Sequence, residues 1–235
     1  MKTIRKGFTL IEVLVVLGII AFMATGITML SMRDSSHGIM AARHTMMTAF
    51  YSARVAAVTK QAPVMVVIYK GNDITRRLRQ VGILYQVKRN DVVLGWSALD
   101  EGFVMPENVF FVPPSGDFEN YVKLGKGIKK DEVFYSTFND IYSGTNSVIN
   151  IKDFPSINPQ PVSTGSGDWY SYQFSSDGLS MNPGAYVMLA MGRQNNAGMF
   201  TIDKPENQLG FVIRKLGHTI AFSSYDEMEE TIKKD

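Results

Sequence analysis

The chain has no cysteine, only three histidines, and one stretch of twenty residues, Val13 to Met32, without a single charge. Without cysteine, disulfide bonds and thiolate metal sites are excluded, so a domain exported to an oxidising compartment depends on its apolar core alone. The histidines, at positions 37, 44 and 218, are not spaced like metal ligands. We therefore predict no metal and no cofactor.

Catalytic motifs are also missing from the sequence. There is no nucleophile elbow, phosphate-binding loop or paired metal-ligand motif. The dipeptide Asp177–Gly178 is better explained as a turn than as half of a carboxylate pair. We therefore expect a protein that is not an enzyme.

Charge is evenly balanced, with 24 basic and 22 acidic residues in 235. Three of the basic residues, Lys2, Arg5 and Lys6, precede Gly7. Without these three, the chain has 21 basic and 22 acidic residues and is close to neutral. Proteins that bind nucleic acid normally carry a clear basic excess. Nucleic acid is therefore not the expected partner.

The uncharged run from Val13 to Met32 is long enough to cross a bilayer as a helix, since about 20 residues span the ~30 Å hydrocarbon core. The basic residues before this run, Lys2, Arg5 and Lys6, predict a cytoplasmic N-terminus. Glu12 is unexpected at this boundary, because an acidic side chain in lipid costs about 2.5–3.5 kcal/mol. A secretory signal cleaved near Ala24–Gly26, or an uncleaved anchor, would leave Glu12 unexplained.

The segment Gly7-Phe8-Thr9-Leu10-Ile11-Glu12 resembles the class III signal of type IV pilins and pseudopilins. This resemblance implies that prepilin peptidase cleaves between Gly7 and Phe8 and that the new α-amino group of Phe8 is methylated. It also implies that Glu12 is an assembly charge, pairing with the N-terminus of a neighbouring subunit in a filament. Prepilin peptidase, other pseudopilins or pilins and the inner membrane are then the expected partners.

Helical periodicity resumes after the apolar run, where Ile39, Ala42, Met46, Ala49, Ala53 and Ala56 recur at three- and four-residue steps. Pro63 predicts the end of this helix near Gln61. Strand patterns follow, among them Val64–Tyr69, Val81–Lys88 with Val92–Trp96 as a hairpin, Tyr186–Met191 and Gly210–Arg214. We predict an α+β protein, with a long hydrophobic N-terminal α-helix followed by a mainly antiparallel β-sheet or β-sandwich domain.

The predicted organisation has five parts. They are a leader (1–7), a transmembrane or filament-core helix (8–32), an amphipathic continuation of that helix (33–61), a periplasmic β-rich domain (62–225) and an acidic tail (226–235). Within the domain, residues 117–168 mix lysines, turns and a Pro/Ser/Thr/Gly-rich loop, which indicates a loop-rich insertion.

Three further stretches are similar to the GspH/FimT family of minor pseudopilins. They are the helix end from Ser52 to Val58, the turn Phe174–Gly178, and the strand and turn Phe211–Gly217. The resemblance implies a structural subunit of the periplasmic pseudopilus of a type II secretion system, anchored by a single pass in the bacterial inner membrane before assembly. A minor pilin of a type IV pilus is the alternative within this class.

A DNA-binding subunit for natural transformation is the alternative from another class, since some members of the family carry a basic C-terminal motif. The candidate DNA contacts in this chain are Arg193, Arg214 and Lys215. A basic pair on a strand is more often a solvated edge, so DNA binding is the secondary hypothesis.

Overall fold

A computed structural model of the protein describes residues 37–137, 148–164, 166–224, 227–228 and 230. This part of the chain is α+β with mostly antiparallel sheets, which confirms the predicted class. The strands in order are β1 (Val64–Tyr69), β2 (Gln80–Arg89), β3 (Val92–Ala98), β4 (Phe103–Val104), β5 (Val109–Phe111), β6 (Val122–Leu124), β7 (Val148–Ile151), β8 (Val162–Thr164), β9 (Trp169–Phe174), β10 (Ala185–Met191), β11 (Arg193–Gln194), β12 (Phe200–Ile202), β13 (Gln208–Ile213) and β14 (Thr219–Phe222).

Helix α1 occupies residues 37–60 of the described chain and ends where the sequence predicts, with Gln61 in the left-handed region and Pro63 beyond it. All six residues of the predicted apolar face, from Ile39 to Ala56, are buried. Phe50 and Ala57 join them in the core. The ring of Phe50 packs against three aromatic side chains of the domain, those of Tyr172, Phe174 and Phe211.

The largest sheet has β1 at its centre, in the order β3-β2-β1-β9-β7-β8, with β4 also pairing with β2. Alternate residues of β1 point to opposite faces of the sheet. Val64, Val66 and Ile68 belong to the main core with α1, whereas Met65 and Val67 belong to a second apolar cluster on the other face. Both faces of this strand are therefore buried.

This sheet curls until its two edges meet. Trp96 of β3 exchanges backbone hydrogen bonds of 2.8 and 3.0 Å with Gln160, two residues before β8 begins. Gly95, at φ +140°, permits the contact, because a Cβ there would lie 2.5 Å from the carbonyl oxygen of Gln160. The curled sheet encloses the second cluster, which includes Leu84, Ile149 and Trp169.

Two smaller sheets complete the domain. One has the order β14-β13-β10-β5 and shares the main core with α1, and the other has the order β11-β12-β6. The pairing of β6 with β12 is parallel. A short helix, α2 (Phe118–Tyr121), leads directly into β6.

Residues 117–168 contribute α2, β6, β7, β8 and the segment that closes the curled sheet. The strands β7 and β8 belong to the curled sheet, with β8 at its edge, and were not expected from the sequence. Within the described residues no helix is both long enough and apolar enough to cross a membrane. The predicted leader, the helix at 8–32 and most of the acidic tail lie outside the described residues.

Candidate functional site

Helix α1 carries a second apolar stripe on the side facing away from the core. Tyr51, Val55 and Val58 are neighbours at four- and three-residue steps, and Met40 lies on the same side about three turns earlier. Each of the four exposes between 43% and 60% of its surface. Contiguous exposed apolar side chains on a folded domain typically mark a surface that binds a partner. The helix is thus built to pack on two sides, one against its own domain and one outward.

The three stretches that resemble the pseudopilin family meet at the C-terminal end of α1. Arg54 of the helix lies against two glycine turns, one containing Gly178 and the other Gly217. A Cβ on Gly217 would lie 2.7 Å from Arg54 Cδ, and a Cβ on Gly178 would lie 2.7 Å from Val58 Cγ2. Both glycines have positive φ, +74° and +75°. Only glycine allows the turns to approach the helix this closely.

The outward stripe of α1 continues onto these two turns. Ser180 donates a backbone hydrogen bond of 3.0 Å to Lys215, and a Cβ on Gly217 would lie 2.7 Å from the Gly178 oxygen. The two turns therefore run side by side, and each carries an exposed leucine next to its glycine, Leu179 after Gly178 and Leu216 before Gly217. The sequence pattern did not indicate this extension. The only available signal was a leucine beside the glycine of each turn.

A polar cluster fixes the loop before α2 to the centre of the curled sheet. Lys70 Nζ and the Tyr170 hydroxyl each donate to Asp117 Oδ2, at 2.8 and 2.7 Å, and Lys70 lies 4.8 Å from the centre of the Tyr170 ring. Partial burial would by itself raise the pKa of Asp117, but the hydrogen bonds from Lys70 and Tyr170 outweigh it and hold that pKa below its usual value. Burial, reinforced by Asp117, raises the pKa of Tyr170, which therefore stays a neutral donor. The cluster is suited to structural support.

The candidate DNA contacts do not form one cluster. Arg193 lies beyond one end of the β10–β13 ladder, whereas Arg214 and Lys215 lie beyond the other end. The ladder between the two ends has five residue steps and is about 17 Å long. Arg193 Nε also donates to Asp203 Oδ2 at 3.0 Å, so a carboxylate offsets its charge. DNA binding through these residues stays a prediction.

In the ranges that the structure describes, His, Asp and Glu side chains form no group of three able to hold a metal ion. The expectation of no cofactor stays a prediction. Gly7, Phe8 and Glu12, the predicted cleavage, methylation and assembly residues, lie outside the described residues.

Comparison with known proteins gives one family match, to the prokaryotic N-terminal methylation motif, over residues 2–28. No curated protein and no solved structure matches the chain. The motif match supports a type IV pilin-like precursor, with processing by prepilin peptidase and pilin-type assembly. It covers the cleavage site predicted from the sequence, together with Phe8 and Glu12.

Proposed function

We propose that this protein is a minor pseudopilin, a structural and non-enzymatic subunit of the periplasmic pseudopilus of a type II secretion system. Prepilin peptidase removes residues 1–7 and methylates Phe8. The single apolar helix holds the subunit in the inner membrane with its β-rich domain in the periplasm, and the mature chain then joins a filament with other pseudopilins.

The observation that carries this proposal is the methylation motif at residues 2–28. Within that motif Glu12 has a physical role in a filament. A carboxylate removed from water is costly unless it is paired, and breaking a buried pair costs about 3–5 kcal/mol. Pairing between Glu12 and the cationic N-terminus of a neighbour would therefore favour one axial register over others.

The two apolar faces of α1 support the same function. A helix that buries Met46 and Ala53 in its own domain also exposes Tyr51 and Val55 on its other side. Val58 borders the Gly178 turn and is still half exposed. Contacts between helices of neighbouring subunits would cover that stripe. The meeting of the three pseudopilin-like stretches around Arg54 supports a family-like junction between helix and domain.

Placing a charge in the stripe tests this function. We expect Val55→Glu to leave the isolated protein folded, because the side chain is exposed, but to reduce co-assembly with partner pseudopilins by at least about tenfold. Ile157→Glu is the matched control, since Ile157 is 84% exposed and lies in the segment that hydrogen-bonds to β3 rather than on α1. Co-purification of the subunit with its partners measures the effect. Equal recovery of the two variants would show that the stripe has no role in assembly.

A minor pilin of a type IV pilus would use the same motif and the same helix. Co-purification also separates these two assignments, because the partners recovered would be pseudopilins in one case and pilins of a retractable fibre in the other. Recovery with pilins alone would replace the secretion assignment but retain the filament role.

A further inference from the structure

A cavity of about 170 Å³ lies between helix α1 and the loop that joins β3 to β4. Pockets that bind drug-sized molecules have volumes of about 300–1,000 Å³, so this one is suited to a single side chain. Its lining combines polar residues, Thr45, Thr48, Ser52 and Asp100, with apolar ones that include Ala49 and Phe103.

The loop wall of this cavity is fixed to the sheet. Leu99 N donates to the backbone oxygen of Ile83 at 2.8 Å, and Gly102 N donates to Asp100 Oδ1 at 2.9 Å. Gly102 has a φ of +69°, and a Cβ there would overlap the backbone oxygen of Val81. Glycine therefore allows the loop to cross β2 at close range. The fold itself holds Asp100 at the edge of the cavity.

The polar groups of the cavity are hydrogen-bond acceptors. The hydroxyl groups of Thr45 and Thr48 donate to backbone oxygens one turn earlier in α1, those of Ala41 and His44, each at 2.9 Å. A hydroxyl whose proton is used in this way can offer only its lone pairs to a ligand. An ionised carboxylate such as that of Asp100 also only accepts. A ligand for this cavity must therefore supply the donors.

Charge narrows the choice of ligand to a cation. Asp100 and the adjacent Glu101 are both exposed, and neither belongs to a salt bridge within the part of the chain that the structure describes. The apolar lining, which includes Ala49 and Phe103, is suited to an aliphatic stem. A lysine side chain combines such a stem with a positive charge and several N–H donors.

A second, more apolar hollow of about 330 Å³ continues from the cavity along α1. Ser52 lines both, and Leu99 lines the hollow together with Tyr51 and Val55 of the outward stripe. Thr48 in the cavity and Val55 in the hollow are seven residues apart, which is about 10 Å along the helix axis. A partner that fills both spaces therefore presents a cation about 10 Å from an apolar side chain.

On the premise that the chain is a filament subunit, we propose that the cavity at Asp100 receives a lysine side chain of a neighbouring subunit. The ammonium group donates to the Asp100 carboxylate and the threonine hydroxyls, and an apolar side chain of the same neighbour covers Val55. The cavity thus adds a charged position to the apolar stripe of α1. Because an unpaired charge is costly at an interface, this position selects partners that carry the cation.

Titration with n-butylammonium chloride tests the site, because this ion is a lysine side chain without its backbone. Amide signals of Gly102 and Ser52 in the ¹⁵N-labelled full-length protein, in non-ionic detergent micelles, report binding. We expect saturable shifts, and at least about fivefold weaker binding of n-butanol, which has the same stem without the charge. Asp100→Asn should weaken n-butylammonium binding by a similar factor while keeping an oxygen for the Gly102 bond. Asp91→Asn, at an exposed carboxylate in the β2–β3 turn, is the matched control and should bind like the wild type.

Co-purification with partner pseudopilins gives an independent measurement with the same two variants. Asp100→Asn should be recovered with its partners at least about fivefold less than Asp91→Asn. Equal binding of n-butanol and n-butylammonium, unchanged binding by Asp100→Asn, or equal recovery of the two variants would overturn the lysine site. Processing after Gly7 is measured separately by mass. Intact processing together with any of these results refutes this site alone, whereas a chain that is not processed refutes the proposed function.

Discussion

The junction between α1 and the glycine turns makes a quantitative prediction about Gly178. In Gly178→Ala the alanine has to keep the left-handed backbone conformation of Gly178, at φ +74°. This conformation costs about 1–2 kcal/mol for a residue with a Cβ. The same methyl group would lie 2.7 Å from Val58 Cγ2 and 3.3 Å from Arg54 Cγ. Relieving this overlap costs about 1–3 kcal/mol more. We therefore expect the free energy of unfolding to fall by about 2–5 kcal/mol.

Gly184→Ala is the matched control, because its φ of +81° imposes the same backbone cost while no atom lies within 4 Å of the added methyl group. Urea unfolding of the full-length protein in detergent, followed by the fluorescence of Trp96 and Trp169, compares the two. Combining Gly178→Ala with Val58→Ala removes the closer of the two contacts and should bring the cost of Gly178→Ala towards that of Gly184→Ala. If Gly178→Ala and Gly184→Ala are equally destabilising, the close approach of helix and turn is refuted.

Three further predictions concern the helix, the polar cluster and the N-terminus. Phe50→Ala should lower the free energy of unfolding by about 3–5 kcal/mol, since the ring is fully buried among aromatic side chains. Tyr51 is exposed, so Tyr51→Ala should change the free energy of unfolding by less than about 0.5 kcal/mol. Similar values for the two variants in urea titrations would contradict the assignment of the buried and exposed faces of α1. The pKa of Asp117 is lower in the folded protein than in the unfolded chain. The Asp117 carboxylate therefore stabilises the fold fully above its unfolded-state pKa of about 3.9, and this stabilisation is lost as the pH falls through its folded-state pKa. Asp117→Asn should therefore lower the free energy of unfolding by about 1–3 kcal/mol at pH 7. This difference from the wild type should become smaller at acidic pH. A difference that does not change with pH would show that the charge of Asp117 is not the source of the stabilisation. Glu12→Ala should permit cleavage but impair co-purification with other pseudopilins, and unchanged recovery would argue against Glu12 as the assembly charge.

Local patterns in the sequence account for the helix and for most long strands. The six-residue apolar face of α1 is buried as predicted, because a 3.6-residue period brings those side chains to one side whatever they pack against. Strand β1 matches its prediction at both ends, since a run of β-branched residues follows a proline. These features depend on neighbours close in sequence.

The curled sheet and the junction at Arg54 depend on contacts between distant residues. Strand β7 pairs with both β8 and β9, and β8 lies beyond β7 at the edge of the sheet. Both strands are short and lie in a segment rich in turn residues, so the sequence pattern did not indicate them. Gly95 is a glycine because Gln160 approaches it, and that partner is invisible in the local pattern. The resemblance to the pseudopilin family identified the three stretches that meet at α1, but nothing in the sequence indicated that they are in contact.

The most direct test of the central claim is the mass of the mature N-terminus when the chain is produced together with prepilin peptidase. We predict a protein that begins at Phe8 and carries one methyl group on its α-amino group, and a block or strong slowing of this processing in Gly7→Ala. A chain that retains residues 1–7, or one cleaved near Ala24–Gly26, would contradict assignment to the pilin-like class.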